Sequence, residues 1–368
     1  MQDGPGEGRQ GLELTALDDD PALPWFPYAD GFLGNGSAAV MTWSMVTSVA
    51  NCTPVGHTET MEYIGRVPAP PLDRFIDDIY CLTGVPRHRR MNVPPMPSAH
   101  LFVNLGEPAR LWDSDSSVPS AVFTDGWFMG VWTRRFLYEY PARVRLVGVH
   151  FKPWGISPFA GIPATELRDR WVPADAVWQR SVDRIRNQAC DIASATGTLR
   201  VLEEELRSRL AGAPPRGLDL VRHAGGRLEA SHGAAPVGAL ADAAGVSGNH
   251  LATQFKSHVG VTPKRVARIY RFARLILSVD ARRPADWAEL AHTAGYFDQA
   301  HFSREFKDFT GHTPTEFLAL RRRYPAEQGF PPDSVRCLLI DFLQASRPEG
   351  RQDQGRLRKE TWGELWAQ

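Results

Sequence analysis

A chain of 368 residues with 43% apolar and 23% charged side chains has the composition of a soluble protein with two or three domains. Lys and Arg (42) balance Asp and Glu (42), which excludes a polycation that coats nucleic acid through net charge alone. Four scattered cysteines (Cys52, Cys81, Cys190, Cys337) without a CxxC pair suit a reducing cytoplasm and give no zinc pattern. No stretch reaches the roughly 18–20 apolar residues of a membrane span, so a membrane partner is not expected.

Residues 1–60 read as an extension without a packed core, rich in Gly and acids, with Arg9 the only basic residue before Arg66. The mildly apolar run Ala38–Ala50 lacks a positive leader, and Asn51 is a poor residue before a lipidated Cys52, so neither a signal peptide nor a lipoprotein is indicated. Met61 is an alternative natural start.

From 61 to 175 the texture changes. A helix is expected over Pro71–Leu82 (PLDRFIDDIYCL), followed by HLFVNLG, AVFTDGWFMGVWT, RFLYEY and RVRLVGVHFKPWG, which are runs of strand length, rich in β-branched and aromatic residues. They predict a β sandwich or barrel. His100 and His150 stand alone on predicted strands; without a close His pair and a carboxylate they read as core or edge histidines, and no metal or cofactor is expected. Trp127, Phe128, Trp132, Phe151 and Trp154 either fill the domain or line a pocket for a small-molecule effector. No Ser-His-Asp or Cys-His arrangement and no phosphate-cradling Gly loop is present, so no catalytic residue is assigned. An enzyme whose catalytic β domain is fused to a DNA-binding module stays open as the alternative.

Residues 176–215 turn helical. Val182, Ile185, Ala189 and Ile192 form one apolar stripe, and Leu199, Leu202, Leu206 and Leu210 another; these cover a neighbouring domain or pair two subunits as a homodimer. AGAPPRG, Ala211–Gly217, is the linker.

The region 216–323 says nearly the same thing twice. ALADAAGVSGNHLATQFKSHVGVTP (Ala239–Pro263) returns as ELAHTAGYFDQAHFSREFKDFTGHTP (Glu289–Pro314), with Leu251/Phe302, Phe255/Phe306, Lys256/Lys307, Gly260/Gly311, Thr262/Thr313 and Pro263/Pro314 all 51 positions apart. Each copy predicts helix, Gly turn (Gly245, Gly295) and helix, with Ser247 and Asp298 as caps of the second helix and Asp286 with Glu289 as a capping box. Two copies make a duplicated module, since a solenoid needs more. Pro263 opens a joining helix with the apolar stripe Val266, Ile269, Ala273 and Ile276, and basic charge is concentrated between Lys256 and Arg283.

On these residues the region Leu218–Arg323 resembles the DNA-binding part of the arabinose-regulator (AraC/XylS) family of bacterial transcription factors, its best motif being AGYFDQAHFSREFKDFTGHTPTEF. PPMPSAHLFVNLG and GVHFKPWGISPF likewise resemble the β-rich N-terminal domain of one branch of that family. The resemblance implies an α+β chain: a β-rich domain, then an all-α domain with two helix-turn-helix units whose second helices enter the major groove. Carried over by position, the base-facing candidates are Asn249, Ala252 and Thr253 in the first unit and Gln299, Ala300, His301, Ser303 and Arg304 in the second. Gln299 suits adenine and Arg304 suits guanine, whereas Ala252 and Thr253 are weak readers. Lys256, Arg265, Arg268, Arg271 and Lys307 are the phosphate-contact candidates. The implied partners are double-stranded promoter DNA, a small-molecule effector, a second subunit, and RNA polymerase if the protein activates; the implied compartment is the cytoplasm. Residues 324–368 read as a charged tail beyond the resemblance.

Overall fold

The computed structural model describes residues 23–24, 62–86, 90–114, 116–192, 194–210, 214–279, 283–296 and 298–323. Apart from Leu23–Pro24, the expectations for 1–60 lie outside the described residues, as do those for the tail 324–368.

The β-rich part is built from two sheets. One runs β1 (Leu23–Pro24), β4 (Arg90–Val93), β9 (Phe136–Glu139), β6 (Ala109–Asp113), β7 (Ala121–Phe123); all its pairs are antiparallel except β1 with β4. The other runs β11 (Trp171–Pro173), β8 (Gly126–Met129), β5 (Ala99–Asn104), β10 (Val144–Phe151), β3 (Ile76–Gly84), β2 (Glu62–Arg66), antiparallel throughout. The six-stranded sheet is covered on both faces, and Leu101, Val103, Val147 and Val149 have no exposed surface.

That double burial corrects one expectation. The segment Pro71–Leu82 is no helix: only Leu72–Arg74 makes a 3-10 turn, and Ile76–Gly84 is the strand β3. A strand buried on both faces carries a continuous apolar run, which periodicity alone cannot tell from a buried helix. The two acids inside the run are answered within the fold. Asp77 accepts from Lys152 Nζ at 2.6 Å, and Asp78 Oδ1 lies 2.5 Å from His150 Nδ1 while its other oxygen accepts from the Tyr63 hydroxyl.

The outer face of this sheet is sealed by helices. After the short α1 (Ser157–Ala160) and α2 (Ala174–Trp178), α3 (Arg180–Cys190) and α4 (Ala195–Leu210) bring in the two stripes expected from sequence. Val182, Ile185, Ala189, Leu199, Leu202 and Leu206 are all at most 2% exposed. Each buried aliphatic side chain is worth about 1.5–3 kcal/mol, so these residues bind α3 and α4 to the β domain of their own chain. Of the two outcomes left open by the sequence, domain cover is the one these side chains are used for. The charged faces of α3 and α4 close with Glu205, which accepts from Arg184 and, at 2.8 Å, from Arg209 Nε, and with Glu203, which accepts from Arg66 and Arg207.

The C-terminal part is helical: α5 (Leu218–Ala230), α6 (Val237–Ala243), α7 (Gly248–Val259), α8 (Pro263–Ser278), α9 (Trp287–Thr293), α10 (Gln299–Thr310) and α11 (Pro314–Arg323). The expected order of a β-rich region followed by an all-α region therefore holds. No helix among the described residues is long and apolar enough to cross a membrane.

Candidate nucleic-acid interface

Both repeats fold as helix, tight turn, helix, and the caps read from sequence are made. The Ser247 hydroxyl accepts from His250 N at 3.2 Å, and Asp298 Oδ1 accepts from His301 N at 2.7 Å. Asp286 Oδ1 accepts from the backbone N–H groups of Ala288 and Glu289 at 3.0 and 3.1 Å. These bonds satisfy donors a helix start leaves orphaned, each cap contributing about 1 kcal/mol. Gly245 and Gly295 turn the chain with φ of 65° and 77°.

The apolar spacing becomes core as the repeat requires. Leu251, Phe255 and Val259 bury one face of α7, and Phe302, Phe306 and Phe309 the same face of α10. Between them α8 contributes Val266, Ile269, Ala273 and Ile276, each at most 1% exposed, so one helix is core for both units. Phe272 packs edge-on against Phe306 and Phe309, with centroids 5.8 and 4.9 Å apart.

With these faces fixed, the base-facing candidates emerge on the outside. Asn249, Thr253, Gln299, Ala300, His301 and Arg304 are exposed, while Ala252 and Ser303 are half-buried. Thr253 spends its hydroxyl on the backbone, donating to Asn249 O at 2.9 Å. His301 also packs its ring edge-on to Tyr296, centroids 5.7 Å apart, so packing and exposure coexist in one side chain.

The basic candidates divide in two. Lys256 and Lys307 are exposed near the C-terminal ends of α7 and α10. The three candidate arginines of α8, Arg265, Arg268 and Arg271, make internal contacts. Arg265 donates to Thr133 O and stacks 5.2 Å from the Phe309 ring centre; burial, then the neighbouring Arg268, lowers its pKa. Arg268 donates through Nε to Glu305 Oε2 at 2.6 Å, and Tyr296 donates its hydroxyl to Glu305 Oε1 at 2.8 Å. Arg271 donates to Gly295 O at 3.2 Å. Glu305 is 2% exposed, so Arg268 ties the second unit to the joining helix around a buried carboxylate, Arg271 adds a bond to the turn of that unit, and Arg265 bonds the joining helix to the β domain. From sequence position they read as phosphate contacts; the acid that receives Arg268 sits 37 residues away.

The C-terminal ends of α7 and α10 face the β domain. Gly260 ends α7 with φ 85°, and a Cβ placed there would lie 2.6 Å from Ala164 O. Gly311 ends α10 with φ 80°, where a Cβ would meet Arg135 Nε at 2.7 Å. At both positions the left-handed backbone calls for glycine, and at Gly260 the backbone carbonyl of Ala164 also leaves no room for a Cβ. Asn92 Nδ2 donates to Thr310 O at 2.7 Å. His258 Nε2 lies 3.0 Å from Arg216 O; a carbonyl only accepts, so that nitrogen carries a proton, and Nδ1 pairs with the Ser157 hydroxyl at 2.8 Å. The N-terminal halves of both helices are thus presented outward while their C-terminal ends are held.

Inside the β domain the structure assembles what the sequence scattered. His100 and His150 are register partners on β5 and β10, with ring centres 5.1 Å apart. Of the five aromatics proposed for a pocket, Trp132 lines a cavity between the sheets; Trp127, Phe128, Phe151 and Trp154 are core and do not line it. The cavity, of about 50 Å³, is also walled by Met91, Val93, Met96, Phe136 and Tyr138. The whole wall draws on strands β3, β4, β5, β8, β9 and β10, and no local pattern could have grouped them. Among the described residues no three His, Cys, Asp or Glu side chains converge on one point as a metal ion would require.

Comparison with known proteins adds the following. A family model described as a helix-turn-helix domain matches residues 240–320, and one described as a domain of unknown function (DUF6597) matches residues 66–173. No curated protein matches the chain. Among solved structures, ToxT from Vibrio cholerae O395 is similar at 14% identity over 66% of this chain and 96% of its own, with a TM-score of 0.35. ToxT from V. cholerae strain SCE256 with bound unsaturated fatty acid follows at 12%, 66%, 94% and 0.35, and the AraC-like transcriptional activator CuxR at 12%, 60%, 82% and 0.24. Likenesses this distant assign no role to any residue. The matched model and the capped double motif together bear out the resemblance read from the repeat as far as the domain: residues 240–320 form an AraC-type helix-turn-helix domain, carried behind an N-terminal β domain.

Proposed function

We propose that this protein is a transcription regulator that binds specific sites in double-stranded promoter DNA by placing α7 and α10 in the major groove. The observation that carries the reading is the outward presentation of Asn249, Gln299, His301 and Arg304 on two capped helices fixed by one shared core helix. Gln299 and Arg304 supply most of the polar readout, each worth about 1–3 kcal/mol of discrimination. Thr253 contributes little, because its hydroxyl is already bonded within its helix. Lys256 and Lys307 are the phosphate contacts, whereas Arg268 and Arg271 hold the second unit in place and Arg265 ties the joining helix to the β domain. The β domain governs the activity of the units docked on it, through a small-molecule effector. A second subunit would pair through a surface other than the buried stripes of α3 and α4.

Selection of bound fragments from genomic DNA by the full-length protein at near-physiological salt tests this reading. A shared motif should be recovered, and Arg304→Ala should relax it at one base position. A folded protein that enriches no sequence refutes the proposal and returns attention to the β domain as a catalytic unit.

A further inference from the structure

The cavity between the sheets has three properties that belong together. None of its described lining side chains is Lys, Arg, Asp or Glu. Two lining residues carry buried nitrogens without a hydrogen-bond partner, His100 Nδ1 and Trp132 Nε1, although Ser98 Oγ serves the other His100 nitrogen at 3.0 Å. Buried polar atoms are normally satisfied, so an unserved nitrogen on a cavity wall points to a missing partner. At roughly 10–15 Å³ of centre space per water, about 50 Å³ holds a few waters or one molecule the size of a single ring.

The third property is where the wall leads. Met91 and Val93 of β4 line the cavity, and Asn92 between them bonds Thr310 O at the end of α10. Trp132 and Phe136 line it too. Between those two, Thr133 O accepts from Arg265 of α8, and Arg135 abuts Gly311 at the end of α10. Asn92 alternates with Met91 and Val93 along strand β4, so that segment has one side on the cavity and the other on the helix-turn-helix domain, while the bend after Trp132 carries the Thr133 carbonyl to α8.

We infer that the cavity binds a neutral, single-ring-sized molecule bearing one hydrogen-bonding group for His100 Nδ1, and that occupancy reaches α8 and α10 through Asn92 and residues 132–136. Its second half rests on the DNA-binding reading; its first half does not. A ring seated against Met91 and Trp132 bears on the segments that carry Asn92 and Thr133, whose bonds to Thr310 O and Arg265 reach the helix-turn-helix domain. A charged ligand finds no counter-ion on this wall, and a fused ring system exceeds the space. The effect on DNA affinity is reciprocal: whatever factor the ligand imposes on DNA binding, DNA imposes on ligand binding.

The test uses the full-length protein with phenol and benzyl alcohol as probes, against toluene, benzoate and 1-naphthol, by calorimetry without DNA. Saturable 1:1 binding of phenol or benzyl alcohol is expected, at least about tenfold tighter than toluene or benzoate, with 1-naphthol excluded. His100→Phe should reduce phenol to the toluene level, and the cavity-filling Met96→Phe should weaken both; two variants guard against one that misfolds. If neither neutral probe binds folded protein saturably, or His100→Phe binds phenol unchanged, the cavity holds water only and the inference is overturned. For transmission, phenol should change affinity for a selected DNA site by about fivefold or more, and Asn92→Ala should keep phenol binding while losing that change. Phenol bound with DNA affinity unmoved overturns the transmission. Absence of any specific DNA site overturns the DNA-binding reading, with the calorimetry still deciding the cavity.

Discussion

Replacing Arg268 with Met separates a structural from an electrostatic role for the basic residues of α8. Arg268 is 30% exposed on its side chain and its partner Glu305 only 1%, so the substitution leaves a carboxylate buried with the Tyr296 hydroxyl as its remaining donor. Stranding one member of a fully buried pair costs about 3–5 kcal/mol. Partial exposure of the arginine and the surviving Tyr296 bond bring the expected loss to about 2–3 kcal/mol. The loss should be local, because Glu305, Tyr296 and Arg268 join α10, its preceding turn and α8. Hydrogen exchange of α10 amides should therefore speed by roughly thirtyfold or more, while β3 and β10 amides keep their rates. Adding Glu305→Gln should restore part of the protection, since a neutral amide tolerates the absence of the cation. In DNA titrations Arg268→Met should leave the salt slope unchanged. Unchanged exchange in α10 together with a slope shallower by about 0.9 would refute this reasoning and return Arg268 to the phosphate backbone.

Other outcomes follow from the same geometry. Lys256→Ala and Lys307→Ala should each make the dependence of log affinity on log salt shallower by about 0.9 and leave the urea midpoint in place. Arg304→Ala should cost about 1–3 kcal/mol of specific binding and Thr253→Ala much less; the reverse order in a titration would overturn the assignment of readout to the second unit. Gly260→Ala forces a Cβ onto Ala164 O at a left-handed position, so proteolysis near the α7–α8 junction should become faster. Stability should also fall in mild acid. Burial, and then His150, holds the His100 pKa well below the usual value, and burial with Arg274 nearby brings His232 down to about 4. The unfolded chain takes up these protons near pH 6.5 and the folded one does not, so stability is present above that pH and declines as pH drops below it. Urea midpoints between pH 7.5 and 5.5 should show the decline, and His232→Gln should flatten part of it; a flat wild-type profile would contradict the assignment.

The sequence by itself determined the helix-turn-helix domain. Its signals are local: Ser247, Asp286 and Asp298 act within three residues, Gly260 and Gly311 stop helices where they stand, and the 51-residue offset makes each copy corroborate the other. It also determined the order of a β-rich and an all-α region. It failed over Ile76–Gly84, because burial on both faces erased the alternation that marks a strand. What only the tertiary structure decided depends on groups far apart in the chain. Whether an arginine of α8 faces solvent or a buried acid was set by Glu305 beyond the next turn, and whether His100 and His150 stay solitary was set by the register of β5 on β10. The cavity, and the residues that connect its wall to the ends of α10 and α8, exist only once two sheets and a helical domain are packed together. Sequence periodicity records which face of an element is buried; it carries no record of what that face is buried against.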